Sequence, residues 1–244
     1  MRRSRLLAVL AAAAIAGSVA IWSPWAATAA PSGTVGYEPH LNPKDFSLVI
    51  DNPFYPLPVG RKWVYKGTRD GQTQTDTVQV TSDTKVVAEG ITARVVRDVA
   101  THGNTVLEKT FDWFAQDKQG NVWYLGEDTT AYLPNGHIDK SGSWEAGVHD
   151  GEPGIIMLAD PEIPDSYRQE YLKGKAEDTA WIINKGGSVT VPFGTVNHTI
   201  TSLEFARIEP DVVDQKIYGP GIGIVMETAL TGPQEIAKLV SMTG

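Results

Sequence analysis

The residues of this chain whose types and spacing best suit chemistry are six carboxylates, Glu127, Asp128, Asp150, Glu152, Asp160 and Glu162. Carboxylate oxygens are the natural ligands of Ca2+. A pair held at a set separation would also serve as acid and base in glycoside cleavage. Glu127, Asp128, Asp150 and Asp160 are the metal ligands this reading expects, and Ca2+ is the one cofactor it implies. Against both uses stands the ordinary role of acids on the turns of an acidic protein, which is solvation. Asp112 differs, because it neighbours Trp113. Partial burial is expected there, with Arg94 or Arg97 as the partner that offsets desolvation.

Aromatic residues form the second set. Trp63, Tyr65, Trp113, Trp123, Tyr124, Tyr132 and Trp144 crowd the first half of the chain. Lining one concave face, they would make a stacking platform for sugar rings or a wall around an acyl chain. Core packing is the competing role. Exposure separates the two, since a binding face needs a contiguous exposed patch. The histidines, His40, His102, His137, His149 and His198, are scattered, and a zinc or copper site would need them to converge in space. No nucleophile elbow, phosphate-binding loop, His-Glu-x-x-His or EF-hand loop is present. No catalytic residue is therefore identified, and an enzyme is the second reading after a binding protein.

The elements that must position these residues are strands. Asp112 to Asp128 reads as two aromatic-rich strands joined by a turn at Gly120-Asn121, where glycine supplies the positive φ that a hairpin needs. Arg61 to Gly67 alternates, with Trp63 and Tyr65 on one face. Asp70-Gly71, Glu89-Gly90, His102-Gly103-Asn104 and Asn135-Gly136 mark further turns between short alternating runs. No segment between them is long and periodic enough for a crossover helix, so the pattern is an antiparallel meander.

Asp51 to Gly60 holds three prolines and is expected as an extended lead-in pinned to the core by Phe54, Tyr55 and Leu57. Ala146 to Pro164 is the longest stretch expected to be irregular, and long ordered loops are often functional. Ser166 to Leu172 is expected as a strand, and Glu235 to Met242 as an edge strand or short helix. Gly219, Gly221 and Gly223 alternate around Pro220 with no helix following, which makes a corner or bulge and not a dinucleotide fingerprint.

Length and composition set the address. Met1-Arg2-Arg3-Ser4-Arg5, the apolar run Leu6 to Trp22 and the small residues Ala27-Thr28-Ala29 make a secretory signal peptide, with cleavage expected after Ala29. Arg5 stands where a twin-arginine signal wants a large apolar residue, which favours the general secretory route. The domains expected are 1–29 signal peptide, 30–45 flexible arm and 46–244 single β domain. The chain of 244 residues has no cysteine. Disulfide-linked partners and a lipid-modified cysteine are thereby excluded, and stability must come from an apolar core. Removing Arg2, Arg3 and Arg5 with the signal takes the net charge from -8 to -11. An acidic protein with no basic cluster is a poor partner for nucleic acid. No transmembrane anchor is expected after cleavage.

The lead-in Asn52 to Tyr65, the hairpin Asp117 to Tyr124 and the corner Tyr218 to Val225 together resemble a family of uncharacterised secreted bacterial β-rich proteins. The resemblance spans most of the mature chain. It implies a fold and an exported location, and it carries over no site residue. The chain also looks like envelope proteins with a strongly curved antiparallel sheet, some of which hold lipid; that likeness is one of fold alone.

The fold class expected is all-β, a strongly curved antiparallel meander forming an open or flattened barrel. The function expected is a secreted non-enzymatic binding protein of the bacterial envelope or exterior. Its ligand, apolar or carbohydrate, would lie on an aromatic-lined concave face. The alternatives are a carboxylate-dependent hydrolase and a structural interaction module without a small ligand.

Overall fold

The computed structural model describes residues 37–244. The expected signal peptide, its cleavage site and residues 30–36 of the expected arm lie outside the described residues. Residues 37–45 rest against the domain: Leu41 packs on a cluster of buried side chains, and the Tyr37 and Tyr171 ring centroids lie 6.2 Å apart.

The chain is almost wholly strand, as alternation and turn spacing predict. In order come β1 (Phe46–Ser47), β2 (Lys62–Arg69), β3 (Gln72–Val86), β4 (Thr92–His102), β5 (Thr105–Asp117), β6 (Val122–Tyr132), β7 (Ile138–Asp139) and β8 (Trp144–Glu145). The second half supplies β9 (Glu152–Met157), β10 (Ser166–Arg168), β11 (Glu170–Tyr171), β12 (Asp178–Val191), β13 (Gly194–Ala206), β14 (Val213–Gly219), β15 (Gly223–Thr231) and β16 (Glu235–Thr243). All pair antiparallel, in the order β10-β12-β13-β14-β15-β16-β2-β3-β4-β5-β6-β9-β11.

The two ends of that order are consecutive in the chain. β10 pairs with β12 and β11 with β9, so one extended run from Ser166 to Tyr171 changes partner at Gln169. The Gln169 amide donates to the Asp178 carbonyl at 2.8 Å. This run bridges the two edges and leaves the sheet a nearly closed barrel, the arrangement that removes exposed strand edges.

Two expectations are corrected in detail. The last strand is not at an edge, because β16 pairs β15 on one side and β2 on the other, joining the last element to the first long one. The segment from Ala146 to Pro164 is not irregular throughout. Its apolar tetrad enters β9, which continues the wall beyond β6, with Ile156 and Met157 buried.

The Pro-rich lead-in closes one end of the barrel. Ile50, Tyr55 and Leu57 join Trp63, Tyr65, Phe114, Tyr124 and Tyr218 in the interior cluster. Asn52, 2% exposed, fixes this plug. Its Nδ2 donates to the carbonyls of Gly120 (3.0 Å) and Leu158 (2.9 Å), and its Oδ1 accepts from the amides of Phe54 (2.9 Å) and Tyr55 (3.1 Å). A second cluster lies on the outer face of β4, β5 and β6. There Val95, Trp113, Trp123 and Leu125 pack under the Val87 to Ile91 turn and against Leu41 and Phe46.

Asn52→Ala removes four hydrogen bonds from a buried position and leaves two carbonyls to find new donors. The expected loss is about 2–4 kcal/mol, read from the midpoint of urea unfolding.

Candidate functional site

The alternation of the strands decides what lies inside. On β3 the inward residues are Gln74, Asp76, Val78 and Val80; on β4 they are Ala100, Asp98 and Val96; on β5 they are Glu108, Thr110, Asp112 and Phe114. All eleven are buried. Each stave therefore runs from apolar side chains near the plug to polar ones at the opposite end. β14 and β15 continue this with Asp214, Lys216 and Tyr218 facing Glu227 and Ile224.

At the apolar end the rings stack, and the polar tips of Trp63 and Tyr65 find backbone acceptors. Phe114 and Tyr124 centroids are 5.0 Å apart in stacked geometry, and Tyr124 meets Trp144 edge-on at 5.5 Å. Trp63 Nε1 donates to the Ile222 carbonyl at 2.8 Å and Tyr65 Oη to the Ile224 carbonyl at 2.9 Å.

At the polar end the ionisable groups face different fates. Lys216 Nζ donates to Glu204 Oε2 at 2.6 Å, while Tyr218 (2.9 Å) and Ser202 (3.0 Å) donate to Oε1. Burial alone would push the Glu204 carboxyl up, but the Lys216 ammonium and these hydrogen bonds outweigh it and hold the group below the usual carboxylate range. Lys216 is lowered by burial, and Glu204 together with Glu227 and Asp214 raises it by more, so the pair with Glu204 is ionised. Asp112 has one donor, the Tyr124 hydroxyl at 2.9 Å, and burial carries it up to about 7 against that bond. Asp98 is pushed well above its ordinary value by burial and then by Asp76, Asp112, Glu108 and Glu227. Glu227 is also pushed up by burial, partly offset by Lys216. Burial thus favours the neutral form of all three carboxyls.

The polar end opens to solvent through a cavity of about 330 Å3. Its floor is Gln74, Ala100 and Glu108, and Arg69 stands at its side, 3.6 Å from the Glu235 carboxylate. Its rim comes from the turns after β2 and β6, with Leu107, Tyr132, Leu133 and Pro134 giving an apolar wall. Tyr132 is 42% exposed.

The residues singled out in the sequence are not brought together. Trp63, Tyr65, Tyr124 and Trp144 are buried inside the barrel, while Trp113 and Trp123 are buried on the outer side of the same wall. The six rings do not share a face, because Trp113 and Trp123 have the opposite parity on their strands. Tyr132 alone of that aromatic set lines the mouth.

Glu127 is 1% exposed and points inward opposite Asp112. Asp128 points out to Lys140 at 3.2 Å, Asp160 lies 3.4 Å from Lys185, which also bonds Glu162, and Asp150 is exposed on a turn at φ 60°. Among the described residues no three His, Asp or Glu side chains form a group that could hold a metal ion. Arg94 and Arg97 are not the partners of Asp112; its partner is Tyr124, and Arg94 donates to the Ser82 carbonyl at 3.0 Å.

Asp76, Asp98, Glu108, Glu204, Lys216 and Glu227 were not singled out from sequence. The signal for them is parity. Once Val78, Val96, Phe114 and Tyr218 are taken as core, counting by twos places these charged residues on the same inward face.

Fold and site together define an antiparallel β-barrel plugged at one end and open at an acidic other. No family model matches the chain, and no curated protein matches it. Two solved structures are similar. One is a candidate exported protein with a YmcC-like fold from Bacteroides fragilis NCTC 9343, with a TM-score of 0.44 and 13% identity, covering 78% of this chain and 99% of that one. The other is a candidate lipoprotein from Parabacteroides distasonis ATCC 8503, with a TM-score of 0.41 and 16% identity, covering 79% of this chain and 100% of that one. Identities this low leave ligand and activity open.

The buried carboxyls set an unusual pH response. A carboxyl whose folded value lies above its unfolded value near 4 binds its proton more tightly when folded. Its contribution is complete below about pH 4 and is lost as pH rises through the folded value, about 7 for Asp112. The groups facing Asp112 are Tyr124, Glu127, Asp98 and Tyr55. Thermal unfolding midpoints are expected to rise on going from about pH 8 to about pH 5, and Asp112→Asn to flatten the part centred near 7. A midpoint that falls over this range removes the neutral-carboxyl assignment.

Proposed function

We propose that this protein is an exported, non-enzymatic binding protein that takes a small, largely apolar ligand at the open end of its barrel. The observation that carries the reading is the cavity of about 330 Å3, within the range of small-molecule sites, with an apolar rim over a floor of a few polar groups. Barrels of antiparallel strands commonly use such mouths for ligands. The ligand position moves from an aromatic concave face to this mouth because the rings expected on that face are buried.

The exported location rests on the N-terminal sequence pattern, which lies outside the described residues. Among the described residues no helix is long and apolar enough to cross a membrane. The hydrolase alternative finds no support in the placement of its residues. Glu127 is enclosed in the lumen, while Asp150 and Asp160 are exposed on loops.

Native mass spectrometry of the mature protein, purified from its secreted fraction without detergent, tests the reading. The expected result is a bound small molecule that leaves on denaturation. Tyr132→Ala, a change at a half-exposed rim residue, is expected to lower its occupancy with the unfolding midpoint unchanged. A clean ligand-free mass under all loading conditions, or occupancy indifferent to Tyr132, overturns the mouth as the site.

A further inference from the structure

The hairpin that supplies Leu133 and Pro134 to the mouth also carries the one Asn-Gly step of the chain, Asn135-Gly136, between β6 and β7. The backbone nitrogen that follows an asparagine can attack that asparagine's own side-chain carbonyl. Glycine hinders the attack least, because it has no Cβ.

The other asparagines are guarded. Asn42 and Asn52 precede prolines, whose nitrogen has no proton to give up. Asn104 and Asn121 precede the β-branched Thr105 and Val122, which crowd the attacking nitrogen. Asn121 is also tied down: its Nδ2 donates to Asp117 at 2.9 Å and its Oδ1 accepts from the Ala159 amide at 2.9 Å. Asn184 and Asn197 lie within β12 and β13, where the sheet holds the backbone.

At Asn135 these guards are missing. Asn135, Gly136 and His137 are all exposed, and a Cβ placed on Gly136 would meet nothing within 4 Å. The His137 amide donates to Asn135 Oδ1 at 3.1 Å, which folds the carboxamide back over the Gly136 peptide and polarises its carbonyl toward attack. One contact opposes the reaction. The Gly136 amide donates to the Leu133 carbonyl at 2.9 Å, and that bond must open before the nitrogen can reach Cγ. A hairpin tip in solvent opens locally at small cost.

We propose that Asn135 is a site of spontaneous deamidation through a cyclic imide closed on Gly136. Hydroxide takes the Gly136 amide proton, the nitrogen bonds to Cγ, and the Cγ–Nδ2 bond breaks, with Nδ2 leaving as ammonia after taking up a proton. Water then opens the ring. Addition at Cγ gives an ordinary aspartyl residue; addition at the main-chain carbonyl gives a β-aspartyl linkage. In sum one water enters, one ammonia leaves, and a carboxylate appears beside Pro134 at the rim. The conversion needs no ligand in the mouth.

Peptide mapping of the folded mature protein, held in mildly alkaline buffer, tests this. The peptide containing Asn135 is expected to give two products of equal mass, the aspartyl and β-aspartyl forms. Peptides containing Asn104, Asn121, Asn184 and Asn197 are expected to be unchanged when half of Asn135 has reacted. The rate is expected to rise with pH, and to be several-fold higher in the urea-unfolded chain, where the Leu133 contact is gone. Gly136→Ala is expected to slow the reaction several-fold. Alanine is strained at the Gly136 φ of 80°, so the same slowing in the unfolded chain separates crowding from strain.

An Asn135 peptide that stays intact in the folded protein while the unfolded chain reacts overturns the assignment, because the turn then protects the site. So does prior reaction at another asparagine. A product without the β-aspartyl form, or a rate indifferent to Gly136→Ala, removes the cyclic route.

Discussion

A carboxylate inside a β-barrel has lost its water, and the rest of this structure is arranged around that cost. The isolated charge is far more expensive to bury than a neutral carboxyl, so each group must find a cation, find donors or keep its proton. Glu204 does the first, with Lys216 at 2.6 Å and two hydroxyl donors besides. Asp112 does the second in part, through Tyr124. Asp98 and Glu227, each with a buried oxygen that accepts no hydrogen bond, are pushed to the third. One buried lysine among the described residues cannot neutralise so many acids.

The fold can hold such a lumen because its other end is a conventional core. The lead-in threads Ile50, Tyr55 and Leu57 against Phe114, Tyr124 and Tyr218, and Asn52 ties that lead-in to the turn after β5 and to the end of β9. Hydrophobic burial on this scale supplies the favourable term that a polar interior cannot. A Pro-rich segment suits a plug, since it has fewer donors to satisfy and less conformational freedom to lose. The same lack of ladder donors keeps it from joining the sheet as another stave.

The all-β class and most hairpins were legible because turn chemistry and alternation are local. Gly120 adopts φ +97° in the turn expected of it, and Asp117 fixes that turn by accepting from the amides of Gln119 and Asn121 and from Trp123 Nε1. Closure was not legible. Nothing in Ser166 to Tyr171 announces that pairing changes partner at Gln169, because a strand's neighbours are set by loops distant in sequence.

The candidate site was missed for a different reason. Density of aromatics and acids drew attention to Trp113, Trp123 and the 150–162 loop, whereas burial depends on parity. Plain alternation along β5 puts Trp113 outside while Asp112 and Phe114 both face in. Sequence neighbours thus part company across the sheet, and a chemical cluster read along the chain dissolves.

The position of the mouth on the barrel follows from the same two-sided wall. Every lining residue of the cavity comes from β2 to β7 and their turns. Within that arc β4, β5 and β6 are packed on both faces, by the lumen within and by the Trp113, Trp123 and Leu125 cluster without. The far wall is different: β12 and β13 show three register shifts, and Trp181 and Phe205 remain exposed on the outside. The outer cluster covers the half of these strands near the plug, around Val95, Trp113 and Trp123, whereas Ala100, Glu108 and Tyr132 lie on the half that opens to solvent. The mouth is therefore carried by strands that are packed on both faces at one end and hydrated on the outside at the other.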